Sequence, residues 1–222
     1  MLLCPSSIGE TRLRRTSFFC YASLPCIYTD LPICMYEAQD FSSLLGTTGF
    51  SDEALQTHFG LYEGYVKNTN KVLELLSSLE KGSYEAAEVR RRFGWEFNGM
   101  RLHELYFGNM TSESQDGPEG DLLKAIERDF GSVSAWEEDF KATGAARGIG
   151  WAVLYADPVA GGKLMNTWIN EHDGGHLSGA TPVLIMDVFE HAFAFDYGMK
   201  RGEYIDAFMN AIDWNEAGSR LA

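Results

Sequence analysis

The sequence has no cysteine after residue 34, and this absence limits the chemistry of the rest of the chain. All four cysteines, Cys4, Cys20, Cys26 and Cys34, lie near the start of the 222 residues. The following residues therefore cannot form a disulfide framework or a thiolate metal site. Any chemistry in this body must use nitrogen and oxygen atoms.

Two further classes of protein are disfavoured by what the chain lacks. No stretch of 18 or more uninterrupted apolar residues occurs, so no segment is predicted to span a membrane. The formal net charge is −14 and no basic run typical of nucleic-acid binding is present, so we expect neither nucleic acid nor an anionic membrane as a partner. The 45% of hydrophobic and 13% of aromatic residues suit a globular protein with a large core.

Residues 1–34 differ in character from the rest. Three arginines precede a patchily apolar run that two prolines and an aspartate interrupt, which is a poor match to a signal peptide. Three interpretations stay open: an organelle or export leader, a disordered arm, or upstream sequence before a true start at Met35. We treat residues 1–34 as a leader or upstream extension outside the fold. A cytoplasmic location is expected unless they are a genuine leader.

Residues 35–113 are predicted to form a helical hairpin. After a candidate N-cap at Ser51, one helical face carries, at intervals of three and four, His58, Tyr62, Tyr65, Thr69, Val72 and Leu76. A second helix from about Tyr84 to Met110 places on one face Phe93, Phe97, Met100, His103 and Phe107. The connection around LEKGS is short, which predicts antiparallel pairing of the two helices. Each buried face would then contain one histidine.

The character changes after a polar linker, and residues 114–222 are predicted to form an α+β C-terminal domain. Helices are predicted at about 120–130, 134–146 and 202–214, and strands at 150–156, 163–169 and 182–186. Ser134 and Glu137 are a candidate capping box for the second of these helices. The predicted fold class is α+β, an N-terminal antiparallel helical hairpin followed by a unit with a small three-stranded antiparallel sheet.

Three of the five histidines, His58, His103 and His191, lie in apolar or aromatic surroundings. A single buried histidine is usually a hydrogen-bonded core residue. Asp187, directly after the apolar run VLIM, adds a carboxylate whose burial is costly unless it is paired or binds a metal. Three imidazoles and one carboxylate suit a first-row metal such as iron or manganese. These four residues are therefore candidates for a metal site.

Several segments resemble the iron/manganese superoxide dismutases. The segment DVFEHAF, residues 187–193, is similar to the D-V-W-E-H-A-Y motif of that family. In the same order as in the family, further similar segments are THFG (57–60), YVKNTN (65–70), LHELYFGNM (102–110) and GIGW (148–151). The resemblance covers about residues 45–220.

The resemblance implies a metal-dependent disproportionation of superoxide to dioxygen and hydrogen peroxide. It implies one iron or manganese ion per chain, with iron slightly preferred, and a solvent molecule as a fifth ligand. The protein ligands that it implies are His58, His103, Asp187 and His191. In this arrangement the ion would link the helical hairpin to the C-terminal part.

The resemblance also implies roles for residues around the metal. Trp151 and Phe189 would form part of the apolar surroundings, and Tyr65 would lie at the substrate channel. Arg201 would be a cation that attracts the anionic substrate. A homodimer is implied, in which Glu190 of one subunit contacts His191 of the partner subunit.

The chain departs from the family pattern at several positions. Tyr65 follows His58 by seven positions instead of the usual eight, and the loss of one residue rotates a helix by about 100°. Phe193 stands where the family has the tyrosine of a cross-subunit His–Tyr bond. Gly99 replaces a glutamine found in the second helix, so we expect His172, in the loop after the second strand, to hydrogen-bond to the metal-bound solvent instead.

Two other classes of metalloprotein are excluded by missing motifs. A ferritin-like di-iron protein needs Glu-x-x-His pairs, and the sequence contains none. A zinc hydrolase of the His-Glu-x-x-His type is excluded because His103 and Glu104 are not followed by a second histidine at the required place. A catalytically silent relative that acts as a metal-binding or structural module stays an alternative. Metal analysis of the purified protein separates these two possibilities.

Overall fold

Two long helices form the first half of the described chain. In the computed structural model, which describes residues 35–221, α1 spans Asp52–Ser78 and α2 spans Tyr84–Gly108. Each helix begins at a serine whose side chain accepts a hydrogen bond from a backbone N–H of the first turn. The predicted leader or upstream extension, residues 1–34, lies outside the described residues.

The two helices pack as the predicted antiparallel hairpin. Tyr62 on α1 donates to Glu104 on α2 at 3.0 Å, and nearer the turn Asn68 donates to Glu96 at 3.3 Å. The buried residues of α1 recur at intervals of three and four, namely Leu55, His58, Tyr62, Val66, Thr69 and Val72. Tyr65 and Leu76, which the sequence places on the buried face, are half-buried.

The second half is an α+β unit, so the predicted fold class is confirmed. Helices α3 (Gly120–Phe130) and α4 (Val133–Gly144) precede the strands β1 (Gly150–Asp157), β2 (Lys163–Asn170) and β3 (Thr181–Asp187). The three strands form an antiparallel sheet with β1 in the centre. Three helices follow, α5 (Glu190–Tyr197), α6 (Arg201–Asn210) and α7 (Trp214–Ser219).

The predicted capping box at the start of α4 is wrong. The N-cap is Ser132, whose hydroxyl accepts from the backbone N–H of Ala135 at 3.1 Å. Ser134 lies inside the helix, so it cannot form the box with Glu137. The sequence offers two serines two positions apart, and local pattern alone does not distinguish them.

The predicted single helix over 202–214 is also wrong in extent. The helix stops after Asn210, and Ile212 pairs with Met110 as an isolated β-bridge. Asp213 then caps α7, because its side chain accepts from two backbone N–H groups of the next turn. The bridge between Met110 and Ile212, where the helix is interrupted, joins the C-terminal segment to the end of the helical hairpin.

One hydrophobic cluster contains residues from both halves of the described chain. A shared core does not separate the two halves, and the predicted domain boundary between residues 113 and 114 stays a prediction. The start of β1 lies beside the end of β3, where Trp151 pairs with Asp187. Helix α2 packs against β3. This arrangement brings the end of β3 to the middle of the hairpin. No helix among residues 35–221 is long and apolar enough to cross a membrane.

Candidate metal centre

Four side chains from four elements converge where β3 meets the hairpin. They are His58 on α1, His103 on α2, Asp187 at the end of β3 and His191 in the first turn of α5. One ligand atom from each lies within 4.8 Å of the others. Oδ2 of Asp187 lies 3.2, 3.6 and 3.2 Å from the Nε2 atoms of His58, His103 and His191, respectively. The structure thus brings together the four predicted metal ligands.

The donor set fits a bound cation. Nε2 of His58 and Nε2 of His103 are buried and have no hydrogen-bond partner among residues 35–221. Oδ2 of Asp187 is the nearby acceptor, 3.2 Å from Nε2 of His58 and 3.6 Å from Nε2 of His103, but neither contact is a hydrogen bond. Leaving a buried polar atom unpaired costs about 1–3 kcal/mol. A metal ion between the nitrogens and the carboxylate would satisfy all of them, and this set of ligands suits iron or manganese.

Contacts behind the ligands fix their orientation. Nδ1 of His103 donates to the carbonyl oxygen of Gly99 at 2.5 Å, which leaves the lone pair of Nε2 directed at the cluster. Oδ1 of Asp187 accepts from the backbone N–H of Phe189 at 2.8 Å. The backbone oxygen of Asp187 accepts from the hydroxyl of Tyr204 at 2.5 Å. These hydrogen bonds hold the ligand side chains in place from behind.

The pKa values in the cluster follow from burial and from the charge of Asp187. Burial lowers the pKa of His58 and lowers the pKa of His103 well below its usual value. Burial alone would raise the pKa of Asp187, but the charge and hydrogen bond of His191, with a contribution from His58, hold it far below its usual value. Burial alone would lower the pKa of His191, but the carboxylate of Asp187 raises it. The lowered pKa values keep the two hairpin imidazoles neutral near neutral pH, whereas the carboxylate of Asp187 favours the protonated form of His191.

A hydrogen-bonded chain of three side chains lies beside the cluster. Nδ1 of the fully buried His172 accepts from the indole Nε1–H of Trp151 at 3.2 Å. Burial lowers the pKa of His172 to about 4, so the ring is neutral. Because indole only donates, the proton of His172 must be on Nε2, which donates to the hydroxyl oxygen of Tyr65 at 2.7 Å. Burial raises the pKa of Tyr65 to about 12, so its hydroxyl keeps a proton for a further acceptor.

Tyr65 reaches this position because α1 is a continuous α-helix. Seven residues turn the helix by about 700°, about 20° short of two full turns, so His58 and Tyr65 lie on the same face. The ring of Tyr65 stacks on His103 with 5.2 Å between centroids. The spacing of seven, one fewer than usual in the family, therefore still places Tyr65 beside the cluster.

Gly99 makes room for Tyr65. A Cβ atom at position 99 would overlap the tyrosine ring, with Cε1 of Tyr65 only 2.6 Å away. The ring thus occupies space that a glutamine at this position would need. Tyr65 can occupy this position only because residue 99 has no side chain.

Aromatic rings surround the four candidate ligands and the neighbouring hydrogen-bonded chain. Phe189 stacks on both His172 and His191, with 4.8 and 5.1 Å between centroids. Trp151, which donates its hydrogen bond to His172, also meets the ring of His103 edge-on, with 5.0 Å between centroids. Sequence reasoning missed Trp95, whose ring meets His172 edge-on at 5.1 Å. It is one of many aromatic residues on α2, and nothing in the pattern distinguishes it from a core residue.

Arg201, the predicted steering cation, contacts other parts of the chain. Its two terminal nitrogens donate to the carbonyl oxygens of Ala146 at 2.7 Å and Gly148 at 2.8 Å. Its guanidinium lies over the ring of Phe193, 5.2 Å from the centroid. These contacts link the start of α6 to the loop before β1, and the steering role stays a prediction.

Comparison with known proteins agrees with this geometry. The profile of the iron/manganese superoxide dismutases, C-terminal domain, matches residues 118–220. The manganese superoxide dismutase 2 of Haloferax volcanii is 38% identical over 173 residues, which cover 77% of this chain and 86% of that protein. An iron superoxide dismutase of Cupriavidus metallidurans is 38% identical over 182 residues, which cover 79% and 90%. An iron superoxide dismutase of Aquifex pyrophilus is 33% identical over 194 residues, which cover 83% and 90%. Because the similarity spans most of this chain and of these relatives, the chain belongs to the iron/manganese superoxide dismutase family.

Proposed function

We propose that the protein disproportionates superoxide to dioxygen and hydrogen peroxide with one iron or manganese ion held by His58, His103, Asp187 and His191. The observation that carries this proposal is the convergence of three imidazole nitrogens and one carboxylate oxygen within 4.8 Å. The relatives named above are superoxide dismutases, and their similarity supports the same activity. The catalytically silent alternative is disfavoured, because the chain keeps all four donors and a hydrogen-bonded chain beside them.

Iron or manganese bound here supplies one-electron redox chemistry, in which one superoxide is oxidised and the next is reduced. Forming peroxide also requires protons and a place for a small anion. The hydroxyl oxygen of Tyr65 accepts a hydrogen bond from His172, so the hydroxyl hydrogen is free to be donated to another acceptor. We assign to Tyr65 the hydrogen bond to the substrate. Its high pKa means that it acts as a hydrogen-bond donor that stays protonated.

His172 and Trp151 hold Tyr65 in position. The contact predicted between His172 and the metal-bound solvent stays a prediction. Both ring nitrogens of His172 already have partners, Trp151 at 3.2 Å and Tyr65 at 2.7 Å. The geometry therefore better supports a role in which His172 fixes the orientation of the Tyr65 hydroxyl.

The aromatic enclosure keeps water from the reacting atoms. Phe189, Trp151 and Trp95 present rings to His172 or to the ligand histidines. Low polarity around the site strengthens the hydrogen bonds and charges within it. The phenylalanine at 189, where the family usually has tryptophan, still covers both His172 and His191.

Replacement of Asp187 tests the proposed metal site. Asp187→Asn keeps the shape of the side chain but removes the charge that the three imidazoles surround, so we expect loss of bound metal and of superoxide consumption. Metal content by mass spectrometry and decay of pulsed superoxide are the measurements. Asp116→Asn, in an exposed loop, is the matched control and should change neither. An Asp187→Asn protein with full activity would contradict the proposal.

A homodimer through α5 is part of the same proposal. The side chain of His191 is 25% exposed, whereas the other three ligands are buried. Its Nε2 faces Asp187, and its Nδ1 has no hydrogen bond to residues 35–221. A ligand imidazole is commonly oriented by a carboxylate on its second nitrogen. The exposed Glu190 next to it supports a contact with His191 of the partner subunit.

Sedimentation of the metal-loaded protein tests the dimer. We expect a dimer at micromolar concentration, and we expect Glu190→Gln to weaken both dimerisation and metal retention. Glu203→Gln, an exposed residue in the first turn of α6, is the control. A fully metallated monomer is the result that excludes this arrangement. The preference for iron and the cytoplasmic location stay predictions, since the relatives include proteins named for each metal.

A further inference from the structure

A cavity between α1 and α2 leads to Tyr65 from the side of the hairpin. Its volume is about 370 Å³, and its lining includes Gly60, Gly64, Tyr65, Asn68, Arg92 and Glu96. Gly60 is exposed at its edge, so the cavity opens to solvent. A small molecule that enters here reaches the residue that bonds to His172 and stacks on His103.

Arg92 is the cation in the lining of this cavity. Its Nε donates to Oε1 of Glu96 at 2.7 Å, and its guanidinium lies over Trp95, 5.0 Å from the ring centroid. Its two terminal nitrogens make no hydrogen bond to residues 35–221. Four N–H donors of a fixed guanidinium are therefore available to an anion.

Glu96 holds Arg92 without presenting its own charge to solvent. The side chain of Arg92 is 55% exposed, whereas that of Glu96 is only 6% exposed. The second carboxylate oxygen of Glu96 accepts from Asn68 at 3.3 Å. Glu96 also lines the cavity, but its side chain is nearly buried, so the exposed part of the ion pair is the guanidinium of Arg92.

Two glycines keep the cavity open. A Cβ atom at Gly60 or Gly64 would meet no heavy atom within 4 Å, so no close packing requires a glycine there. Glycine is unfavourable in the interior of a helix, and both lie inside α1. The two glycines therefore leave the α1 side of the cavity without side chains at these positions.

We propose that this cavity is an entry route for superoxide and that Arg92, held by Glu96 and Trp95, is the cation that attracts and positions the anion. The inference rests on the proposed function, which supplies the substrate. With a net charge of −14, the protein as a whole repels an anion. A local cation at the mouth of a cavity focuses the field and raises the association rate. In Arg201, by contrast, both terminal nitrogens already donate to backbone carbonyls.

Two neighbouring arginines provide a matched test. Arg92→Gln and Arg91→Gln remove the same charge, but Arg91 pairs with Glu88 at 3.4 Å, is 77% exposed and does not line the cavity. In the metal-loaded enzyme we expect Arg92→Gln to lower the second-order rate constant about threefold and to weaken its dependence on ionic strength. Arg91→Gln should change both quantities much less. Equal effects of the two variants at equal metal content would overturn the proposal.

A second experiment does not depend on catalysis. Gly64→Cys places a thiol in the cavity, in a body that has no other cysteine after residue 34. The introduced thiol is labelled with negatively and with positively charged methanethiosulfonates, and the unsubstituted chain gives the background. Taking the ratio of the two labelling rates removes the effect of Arg92 on thiol ionisation. We expect the ratio of anionic to cationic labelling to fall about threefold when Arg92→Gln is added, but not when Arg91→Gln is added.

The two experiments separate this inference from the proposed activity. An unchanged labelling ratio overturns the anion route even if the enzyme is active. Inactivity of the metal-loaded unsubstituted chain contradicts the proposed function, whereas a normal fall in the labelling ratio would still support anion attraction at Arg92.

Discussion

The helical hairpin and the α+β part each contribute two metal ligands, but they hold them differently. His58 and His103 on the hairpin are buried and neutral, and each has an Nε2 atom without a hydrogen bond. Asp187 is ionised and held by hydrogen bonds, and the carboxylate of Asp187 raises the pKa of the partly exposed His191. The hairpin therefore supplies neutral nitrogen ligands, while the other half supplies charge and the link to the surface.

The two halves also differ in charge. Residues 35–110 contain 7 basic and 11 acidic residues, a net charge of −4, whereas residues 111–222 contain 8 and 19, a net charge of −11. An anion is therefore repelled less on the side of the hairpin, where the cavity beside Arg92 opens. The half that provides neutral ligands is also the half that is better suited to admit the substrate.

Metal binding at different pH values tests the difference in protonation. A metal ligand must be deprotonated, so the proton of His191 competes with the metal, whereas the lowered pKa values of His58 and His103 mean that these residues do not compete near neutral pH. Below the raised pKa of His191 we expect the apparent affinity to fall about tenfold per pH unit, with release of about one proton per metal bound. A competing chelator measures the affinity, and calorimetry in two buffers measures the proton count. Release of two or three protons at pH 7 would show that the hairpin histidines are protonated too.

The packing of Tyr65 on Gly99 tests how far the hairpin controls the chain of hydrogen bonds. Gly99→Ala puts a Cβ atom into the tyrosine ring, so we expect Tyr65 to move away from His172 and turnover to fall by about tenfold, with nearly unchanged metal content. Overpacking of this kind typically costs about 1–3 kcal/mol. Turnover and thermal melting of the metal-loaded protein are the measurements.

Gly94→Ala is the control for that experiment. It lies on the same helix, and its Cβ atom would meet nothing within 4 Å. We expect it to raise the free energy of unfolding by about 0.5–1 kcal/mol through helix propensity and to leave turnover unchanged. If both alanine variants behave alike, steric coupling between Gly99 and Tyr65 is not important.

Replacement of Arg201 is expected to have the smallest effect on the rate constant. Comparing it with replacement of Arg92 tests which half of the molecule attracts the substrate. We expect Arg201→Ala to lower the second-order rate constant by less than about twofold, because its donors are already occupied. Loss of the contacts to the loop before β1 should lower stability by about 1 kcal/mol. Rate constants at several ionic strengths, beside those of Arg92→Gln, measure the difference. A larger effect at Arg201 than at Arg92 would assign steering to the α+β half.

The sequence identified the four donors as candidates, and the resemblance to the family implied that they bind one metal together. The spacing of three and four residues placed His58 and His103 on buried helical faces, and the apolar run VLIM directly before Asp187 placed this carboxylate at the edge of the core. A continuous helix also explains why Tyr65, seven residues after His58, shares its face. For these residues, local geometry fixes the direction of the side chain.

Other parts of the site depend on distances between elements, which periodicity does not give. The contact of Tyr65 with Gly99 follows from the close approach of α1 to α2. The hydrogen bond between Trp151 and His172 joins the start of β1 to the loop after β2. The same limit explains why Arg92 was not a candidate: its importance comes from its place beside Tyr65 and from the burial of Glu96.

The indole of Trp151 gives the adjoining hydrogen bonds a direction. It can only donate, so a neutral His172 must accept on Nδ1 and donate on Nε2, and Tyr65 must accept from it. Reversing the chain would leave a buried indole N–H facing another N–H, which is unfavourable. The tyrosine hydroxyl is therefore presented with its hydrogen outward in every neutral state of the chain. This fixed polarity favours small molecules that accept a hydrogen bond, such as an anion, and disfavours those that can only donate.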